Sequence, residues 1–119
     1  MSSRAKGARG ELEAAALLVQ LGFTARRTVQ YNGLAGGADL ETSCKGVHFE
    51  VKRTERLSPY QFMDQAVRDS AKRAEIPCLL MRSNNRPWLV TIRAGDLHEF
   101  VARVQASARL QSFDGSEAQ

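Results

Sequence analysis

Residues 36–53, GGADLETSCKGVHFEVKR, constrain the fold of this chain more than any other stretch. They contain two runs of strand-like alternation, ADLETSC and VHFEVKR, separated by Lys45 and Gly46. Alternating apolar and polar residues rich in Val, Thr and Phe are typical of β-strands, and a short linker ending in glycine is typical of a tight hairpin turn. The stretch therefore predicts a β-hairpin whose strands carry charged side chains in an apolar setting.

The charges of this hairpin are predicted to share one face. A two-residue turn places Asp39 opposite Lys52. It also places Glu41 opposite Glu50, so that Asp39 and Glu50 become diagonal neighbours about 7–8 Å apart. Because strand side chains alternate, all four point to the same side, while Leu40 points to the opposite, apolar side.

Two interpretations of this charged face remain open from the hairpin alone. Charges in an apolar setting are costly unless they are paired or bound to a metal, and converging carboxylates suit Mg²⁺, which prefers oxygen ligands and keeps several waters. Such an ion promotes phosphodiester hydrolysis, and the ammonium group of Lys52 would stabilise the developing charge. The alternative is an ordinary ion pair between Asp39 and Lys52, with Glu41 and Glu50 exposed to solvent.

The rest of the chain predicts an α/β domain with a mixed five-stranded sheet flanked by helices. Apolar residues at helical spacing, a cap at Ser58-Pro59 and a stop at Gly22 mark the helices. The predicted order is α-β-β-β-α-β-β-α, within a single domain of residues 1–111. The segments are helices at 8–21, 56–75 and 95–106, strands at 23–31, 38–44, 47–53, 77–83 and 88–94, a glycine-rich loop at 32–37, and a flexible tail at 112–119.

The composition favours a nucleic-acid partner and a cytoplasmic location. The 119 residues include 17 Lys and Arg against 13 Asp and Glu, for a net charge of +4, which suits a polyanion although the charge alone is weak support. Cys44 and Cys78 lie in apolar runs without metal-type spacing and are predicted to be reduced packing residues. Neither a signal-peptide pattern nor an apolar run of membrane-spanning length is present in the sequence.

Several motifs together resemble a known nuclease family. Ala38-Asp39, followed after ten residues by Glu50-Val51-Lys52, resembles the core motif of the PD-(D/E)XK nuclease superfamily, with Ala38 where proline is usual. The opening stretch KGARGELEAAALLVQLGFTARR resembles that of archaeal-type Holliday junction resolvases. The QYNG segment and the VKRTERL…QA…D run are similar to small phage and prophage versions, so that the resemblance extends from about Lys6 to Ile92.

The resemblance implies a restriction-endonuclease-like core and a metal-dependent active site. In that pattern Asp39, Glu50 and the backbone carbonyl of Val51 bind Mg²⁺, with Mn²⁺ as a substitute. Glu11 helps to hold the metal, and Lys52 is the catalytic lysine.

The same resemblance implies a homodimer that resolves four-way DNA junctions by paired nicks. The alternatives are a nuclease of the same fold that cuts other branched or linear DNA, and a nucleic-acid-binding protein that does not cut. The candidate DNA-binding residues are Lys6, Arg9, Arg26, Arg27, Arg53 and Arg56.

Three further residues have more than one interpretation. Gln65 is an additional site candidate, although a position on the helix surface is favoured. His48 joins the charged face by alternation but has no second histidine nearby, which favours a spectator role. Glu13, two residues after Glu11, is predicted to be exposed on another face of the helix.

Overall fold

The structure, a computed structural model, describes the backbone of residues 3–29 and 38–117 and the side chains of residues 7–28 and 40–108. The predicted glycine-rich loop at 32–37 lies outside the described residues.

The described chain has a mixed α/β architecture, as predicted. The last helix continues past residue 106, where the sequence pattern predicted its end, into the segment predicted as a tail. The elements in chain order are α1 (Ser3–Gln20), β1 (Ala25–Val29), β2 (Ala38–Thr42), β3 (Val47–Arg53), α2 (Pro59–Ala71), β4 (Ile76–Arg82), β5 (Leu89–Thr91), a 3₁₀ turn (Ala94–Asp96) and α3 (Leu97–Glu117).

Within the described residues the strands form two sheets instead of the single five-stranded sheet that was predicted. The antiparallel strands β1 and β2 make one sheet, and β3, β4 and β5 make the other in that order. Strand β3 is parallel to β4, and β4 is antiparallel to β5. The segment β3-α2-β4 is therefore a crossover unit in which a helix connects two parallel strands.

The predicted pairing of β2 with β3 is wrong. Asp39 lies opposite Thr28 and Glu41 opposite Arg26, because β2 pairs with β1. After β2, the Ser43 amide donates to the carbonyl of Thr24 at 3.0 Å, and the Ser43 hydroxyl accepts from the Thr24 amide at 2.9 Å. These bonds hold the end of β2 against the start of β1, while β3 forms its ladder with β4.

The predicted glycine turn before β3 is present and joins three elements. Gly46 has φ +82°, a left-handed conformation that glycine adopts without steric cost. A methyl group at this position would lie 2.7 Å from Cδ of Arg103, a residue of α3. The Gly46 carbonyl accepts hydrogen bonds from Arg103 and from the amide of Ile76 at the start of β4. The turn thus ties α3 to the first residues of β3 and β4.

Helix α1 ends at the predicted glycine in a Schellman motif. Gly22 has φ +104°. Its amide donates to the carbonyl of Val19, and the amide of Phe23 donates to that of Leu18, both at 3.0 Å. Phe23 also packs against the core that contains Leu18, which directs the chain from α1 into β1.

The three-stranded sheet, in which β3 is an edge strand, separates two apolar cores. Val47 and Phe49 of β3 belong to the first core with α1, and Leu40 and Val51 pack against this core as alternation predicts. The second core lies between α2 and β4 and consists of Met63, Ala66, Leu79 and Met81. The side chains of β3 at positions 48, 50 and 52 face α2, and that of Arg53 contacts α1.

Both cysteines are buried free thiols in the first core, as predicted. Burial raises the pKa of Cys78 to about 12, and the neighbouring Cys44 adds to the effect. These thiols are packing groups. None of the described helices is long and apolar enough to cross a membrane.

Candidate active site

The candidate site is built from one row of side chains on β3 and one on α2. Positions 48, 50 and 52 of β3 point to the same side because strand side chains alternate. Gln65 and Asp69 are four residues apart and so share one face of α2. The strand and the helix run in opposite directions, which brings Gln65 to Lys52 and Asp69 to the group around Glu50.

Glu50 lies at the centre of this arrangement. Its side chain is 14% exposed, with Oε1 3.1 Å from Nε2 of His48 and Oε2 3.9 Å from Nζ of Lys52. The two oxygens of one largely buried carboxylate therefore have different partners. Alternation had placed His48 on this face, and the structure brings it into contact with Glu50.

Lys52 is held by two residues of α2. Its ammonium donates a hydrogen bond of 2.8 Å to Oε1 of Gln65 and lies 5.4 Å from the centre of the Phe62 ring. A cation over an aromatic face is attracted to its π electrons, and the hydrogen bond fixes its direction. The favoured interpretation of Gln65 as a surface residue is thus wrong, since the side chain contacts Lys52.

The described residues place three metal-ligating side chains together: His48, Glu50 and Asp69. One donor atom of each lies within 4.8 Å of the others. Carboxylate oxygens are the ligands that Mg²⁺ and Mn²⁺ prefer, and an imidazole nitrogen suits transition metals, so these residues fit a divalent cation. The sequence analysis included Asp69 only as the last residue of the VKRTERL…QA…D run and gave it no role in the site. The available signal was its position one helical turn after Gln65.

The other predicted metal ligands are only partly described. Glu11 is 18% exposed and accepts a hydrogen bond of 2.9 Å from Nε of Arg27, and it is not a member of the His48 group. The backbone of Asp39 lies in β2, but its side chain is outside the described ones. Val51 lies in β3 opposite Leu80. Convergence of Glu11 and Asp39 on Glu50 stays a prediction.

Glu13 does not have the exposed position that was predicted. Its Oε2 accepts a hydrogen bond of 2.8 Å from Nε of Arg53 and lies 3.5 Å from Nη1 of Arg82. Close packing of α1 on β3 makes this possible, since a methyl group at Gly10 would lie only 2.9 Å from Cβ of Arg53. The Arg82 guanidinium also lies 5.9 Å from the ring centre of Trp88.

The candidate DNA-binding residues differ in exposure. Arg9 and Arg56 are exposed, and Arg26 is exposed while it pairs with Glu41 at 2.7 Å across β1 and β2. Arg27 and Arg53 are partly buried in their pairs with glutamates of α1. The side chain of Lys6 lies outside the described ones.

Glu50 and Lys52 lie two residues apart on β3 of a mixed α/β core, beside the carboxylate of Asp69, and the family comparison assigns this core to the PD-(D/E)XK nuclease class. The family model described as "Phage putative PDDEXK endonuclease" matches residues 2–114. The chain belongs to this phage endonuclease family. No curated protein and no solved structure matches the chain.

Proposed function

We propose that the chain is a metal-dependent, structure-selective DNA endonuclease that resolves four-way (Holliday) junctions by paired nicks. Its family is one of endonucleases, which supports DNA as the substrate. The observation that carries the catalytic assignment is the position of Glu50 between His48 and Lys52, with Lys52 in turn held by Gln65. Support for the junction comes from the resemblance of the N-terminal stretch to junction resolvases.

The proposed ligands of Mg²⁺, or of Mn²⁺ in its place, are Asp39, Glu50 and the carbonyl of Val51, with Glu11 supporting them. A bound ion of this kind supplies a Lewis acid and lowers the pKa of a coordinated water. Glu50 is suited to its role because its carboxylate is largely buried on a rigid strand and contacts His48 and Lys52 instead of an arginine.

Lys52 is proposed to stabilise the charge that develops on the phosphate. Its side chain is 25% exposed, so the ammonium can reach a bound DNA strand while the stem packs beside α2. Gln65 and Phe62 orient the ammonium in advance, which reduces the reorganisation needed during the reaction.

We propose a homodimer as the active form. A four-way junction has two-fold backbone symmetry, which a two-fold pair of active sites would match. Exposed apolar side chains on two helices support an association between copies. They are Leu12 and Val19 on α1 and Leu97 and Val101 on α3. Sedimentation equilibrium of the purified protein tests this, and a monomer at the concentrations that give paired nicks would contradict it.

Phosphate contacts are proposed for the six basic residues that the sequence analysis selected. Arg9, Arg26 and Arg56 have exposed side chains, which makes them accessible to a DNA backbone. Lys6, Arg27 and Arg53 complete the proposed set, and the last two would contact phosphates in addition to their glutamate partners. Such contacts read the shape of the DNA and not its base sequence.

A cleavage assay with two substrates tests the function. Purified protein is incubated with a labelled four-way junction and with a linear duplex of matched sequence, each in Mg²⁺ and in EDTA. Paired nicks in the junction alone, lost in EDTA, are the expected result. Equal cutting of the linear duplex would instead indicate a nuclease with another substrate, and tight binding without cutting in Mg²⁺ or Mn²⁺ would indicate a non-cleaving binding protein.

The variant Asp39→Asn is the internal control for this assay. It removes one proposed metal ligand but no phosphate contact, so we expect cleavage to be lost while junction binding remains near that of the wild type. Loss of binding together with loss of folding, measured by circular dichroism, would contradict the assignment of Asp39.

A further inference from the structure

We propose that His48, Glu50 and Asp69 form a cation site of mixed nitrogen and oxygen ligands, which binds a divalent transition-metal ion in preference to Mg²⁺. This site goes beyond the proposed function, because His48 and Asp69 are not among the ligands predicted for the catalytic ion. Glu50 is common to both ligand sets.

The spacing of the donor atoms suits one ion. Two ligands about 2.1 Å from an ion and at right angles to each other are about 3.0 Å apart, and ligands on opposite sides are about 4.2 Å apart. Nε2 of His48 and Oε1 of Glu50 are 3.1 Å apart, and one donor atom from each of the three residues lies within 4.8 Å of the other two. Small side-chain rotations would bring them to bonding distance of a common centre.

Two ligands are fixed and the third faces solvent. The side chains of His48 and Glu50 are 9% and 14% exposed and project from strand β3. Asp69 is exposed on α2, where the buried Ala66 and Ser70 anchor the helix on either side of it. The site therefore has two largely buried ligands on a strand, and it is open to solvent at Asp69, where an ion can enter.

The ammonium group of Lys52 does not occupy the proposed ion position beside Oε1 of Glu50. Lys52 approaches Oε2 of Glu50 at 3.9 Å, whereas His48 contacts Oε1. The hydrogen bond from Lys52 to Gln65 holds the ammonium at the other end of the row, one helical turn from Asp69. Oε1 can therefore turn from His48 to an ion without breaking the contacts of Lys52.

The imidazole nitrogen determines which ion is preferred. Mg²⁺ favours oxygen ligands and gives up its waters reluctantly, whereas nitrogen ligands bind Mn²⁺, Co²⁺ and Zn²⁺ with affinity that generally rises along the first transition series. Mn²⁺ is the useful probe, because its electron paramagnetic resonance signal distinguishes the free aqueous ion from the bound ion.

The test is a titration with Mn²⁺ in the absence of DNA and in the presence of excess Mg²⁺. We expect the wild type to retain about one Mn²⁺ per chain under these conditions, because Mg²⁺ competes poorly for a site with a nitrogen ligand. Asp69→Asn and His48→Gln should each weaken this binding by about tenfold or more, as loss of a metal-site residue commonly does. Asp64→Asn removes the same charge from an exposed position on the same helix and should bind Mn²⁺ as the wild type does.

The variants also separate this inference from the proposed function. Retention of Mn²⁺ by Asp39→Asn, which should no longer cleave, would support two distinct ligand sets. Loss of Mn²⁺ binding in Asp39→Asn but not in Asp69→Asn would overturn the inference and leave the proposed function intact. If Mn²⁺ binding depended on Asp69 but the wild type cleaved no DNA, the proposed function would be overturned and the inferred metal site would stand.

The melting temperature of each variant without metal is the control for correct folding. In excess Mg²⁺, added Mn²⁺ should stabilise the wild type further and should not stabilise Asp69→Asn, even where both melt alike in EDTA. Equal stabilisation of the two would mean that His48, Glu50 and Asp69 are only a hydrogen-bonded group, and would overturn the proposal.

Discussion

The carboxylates on the two sides of β3 differ in their interaction partners. On the side of α1, Glu13 is held by the guanidinium groups of Arg53 and Arg82 at 2.8 and 3.5 Å. On the side of α2, Glu50 contacts an imidazole at 3.1 Å and an ammonium at 3.9 Å. Both carboxylates are partly buried, at 29% and 14% exposure, so the difference lies in their partners.

This difference separates a structural carboxylate from one available for chemistry. A guanidinium group stays charged, presents several donors in a rigid plane, and matches a carboxylate in geometry. An ammonium group is a point charge on a flexible stem, and an imidazole can give up its proton and become a metal ligand. We infer that Glu13 fixes α1 to the sheet, while Glu50 can exchange its partners for a metal ion.

The largest expected effect comes from Glu50→Gln. Removal of one proposed metal ligand should lower the single-turnover cleavage rate by roughly 100- to 1,000-fold, a loss typical of a key electrostatic group. The melting temperature in EDTA should change little, because the amide keeps the shape of the carboxylate and can still hydrogen-bond to His48, while Lys52 keeps its bond to Gln65. If Glu50→Gln cleaved DNA at the normal rate but had a lower melting temperature, Glu50 would be a structural carboxylate like Glu13. The two sides of β3 would then not differ in function.

The opposite pattern is expected for the isosteric change Glu13→Gln. It leaves two partly buried guanidinium groups without a counter-charge, which should lower the free energy of unfolding by about 1–2 kcal/mol. Urea unfolding measures this loss, and cleavage at temperatures where the variant is folded should match the wild type. Glu99→Gln, which breaks an exposed pair within α3, is the control and should cost at most about 0.5 kcal/mol. If the two variants were equally stable, the Glu13 pairs would have no structural role.

The parts of this contrast that sequence could predict are those governed by local rules. Strand alternation placed His48, Glu50 and Lys52 on one face and Leu40 in the apolar core, because the side-chain period of a strand does not depend on its neighbours. Gly22 ended α1 as predicted, since a left-handed residue after a helix is a local requirement.

The failures concern partners distant in sequence. A turn is present at Lys45-Gly46, but it does not make the predicted hairpin, because a short linker does not fix which strands pair and β2 pairs with β1. Glu13 was assigned to solvent because the approach of α1 to Arg53 depends on tertiary packing. Asp69 was missed because only the crossover from β3 through α2 brings it to Glu50.

A smaller effect is expected for Gln65→Ala, which tests whether the α2 face orients Lys52. Without its acceptor at 2.8 Å the ammonium would be less well positioned, and kcat should fall about tenfold, equivalent to about 1.4 kcal/mol. Gln65 is a positioning residue, so DNA binding should be unchanged, and Gln65→Glu, which keeps an acceptor, should recover part of the rate.

Gln61→Ala is the matched control, because Gln61 is an exposed glutamine one turn earlier on the same helix. Its kcat should equal that of the wild type. Equal rates for the two alanine variants would show that catalysis by Lys52 does not depend on its hydrogen bond to α2. The contacts of Lys52 with α2 would then serve packing only.

The smallest effect is expected where an arginine pair is exposed. Arg26 and Glu41 pair at 2.7 Å, but their side chains are 76% and 57% exposed, so solvent screens the pair and its loss should leave the melting temperature nearly unchanged. Arg26 is then free to contact a phosphate, and Arg26→Gln should reduce the slope of log binding constant against log salt by about one unit. Glu41→Gln breaks the same pair without removing a cation, so it should leave that slope unchanged or make it steeper. An equal loss of DNA binding in both variants would mean that binding depends on the intact pair between Arg26 and Glu41. Arginine–glutamate pairs would then have a structural role at exposed positions as well as at partly buried ones.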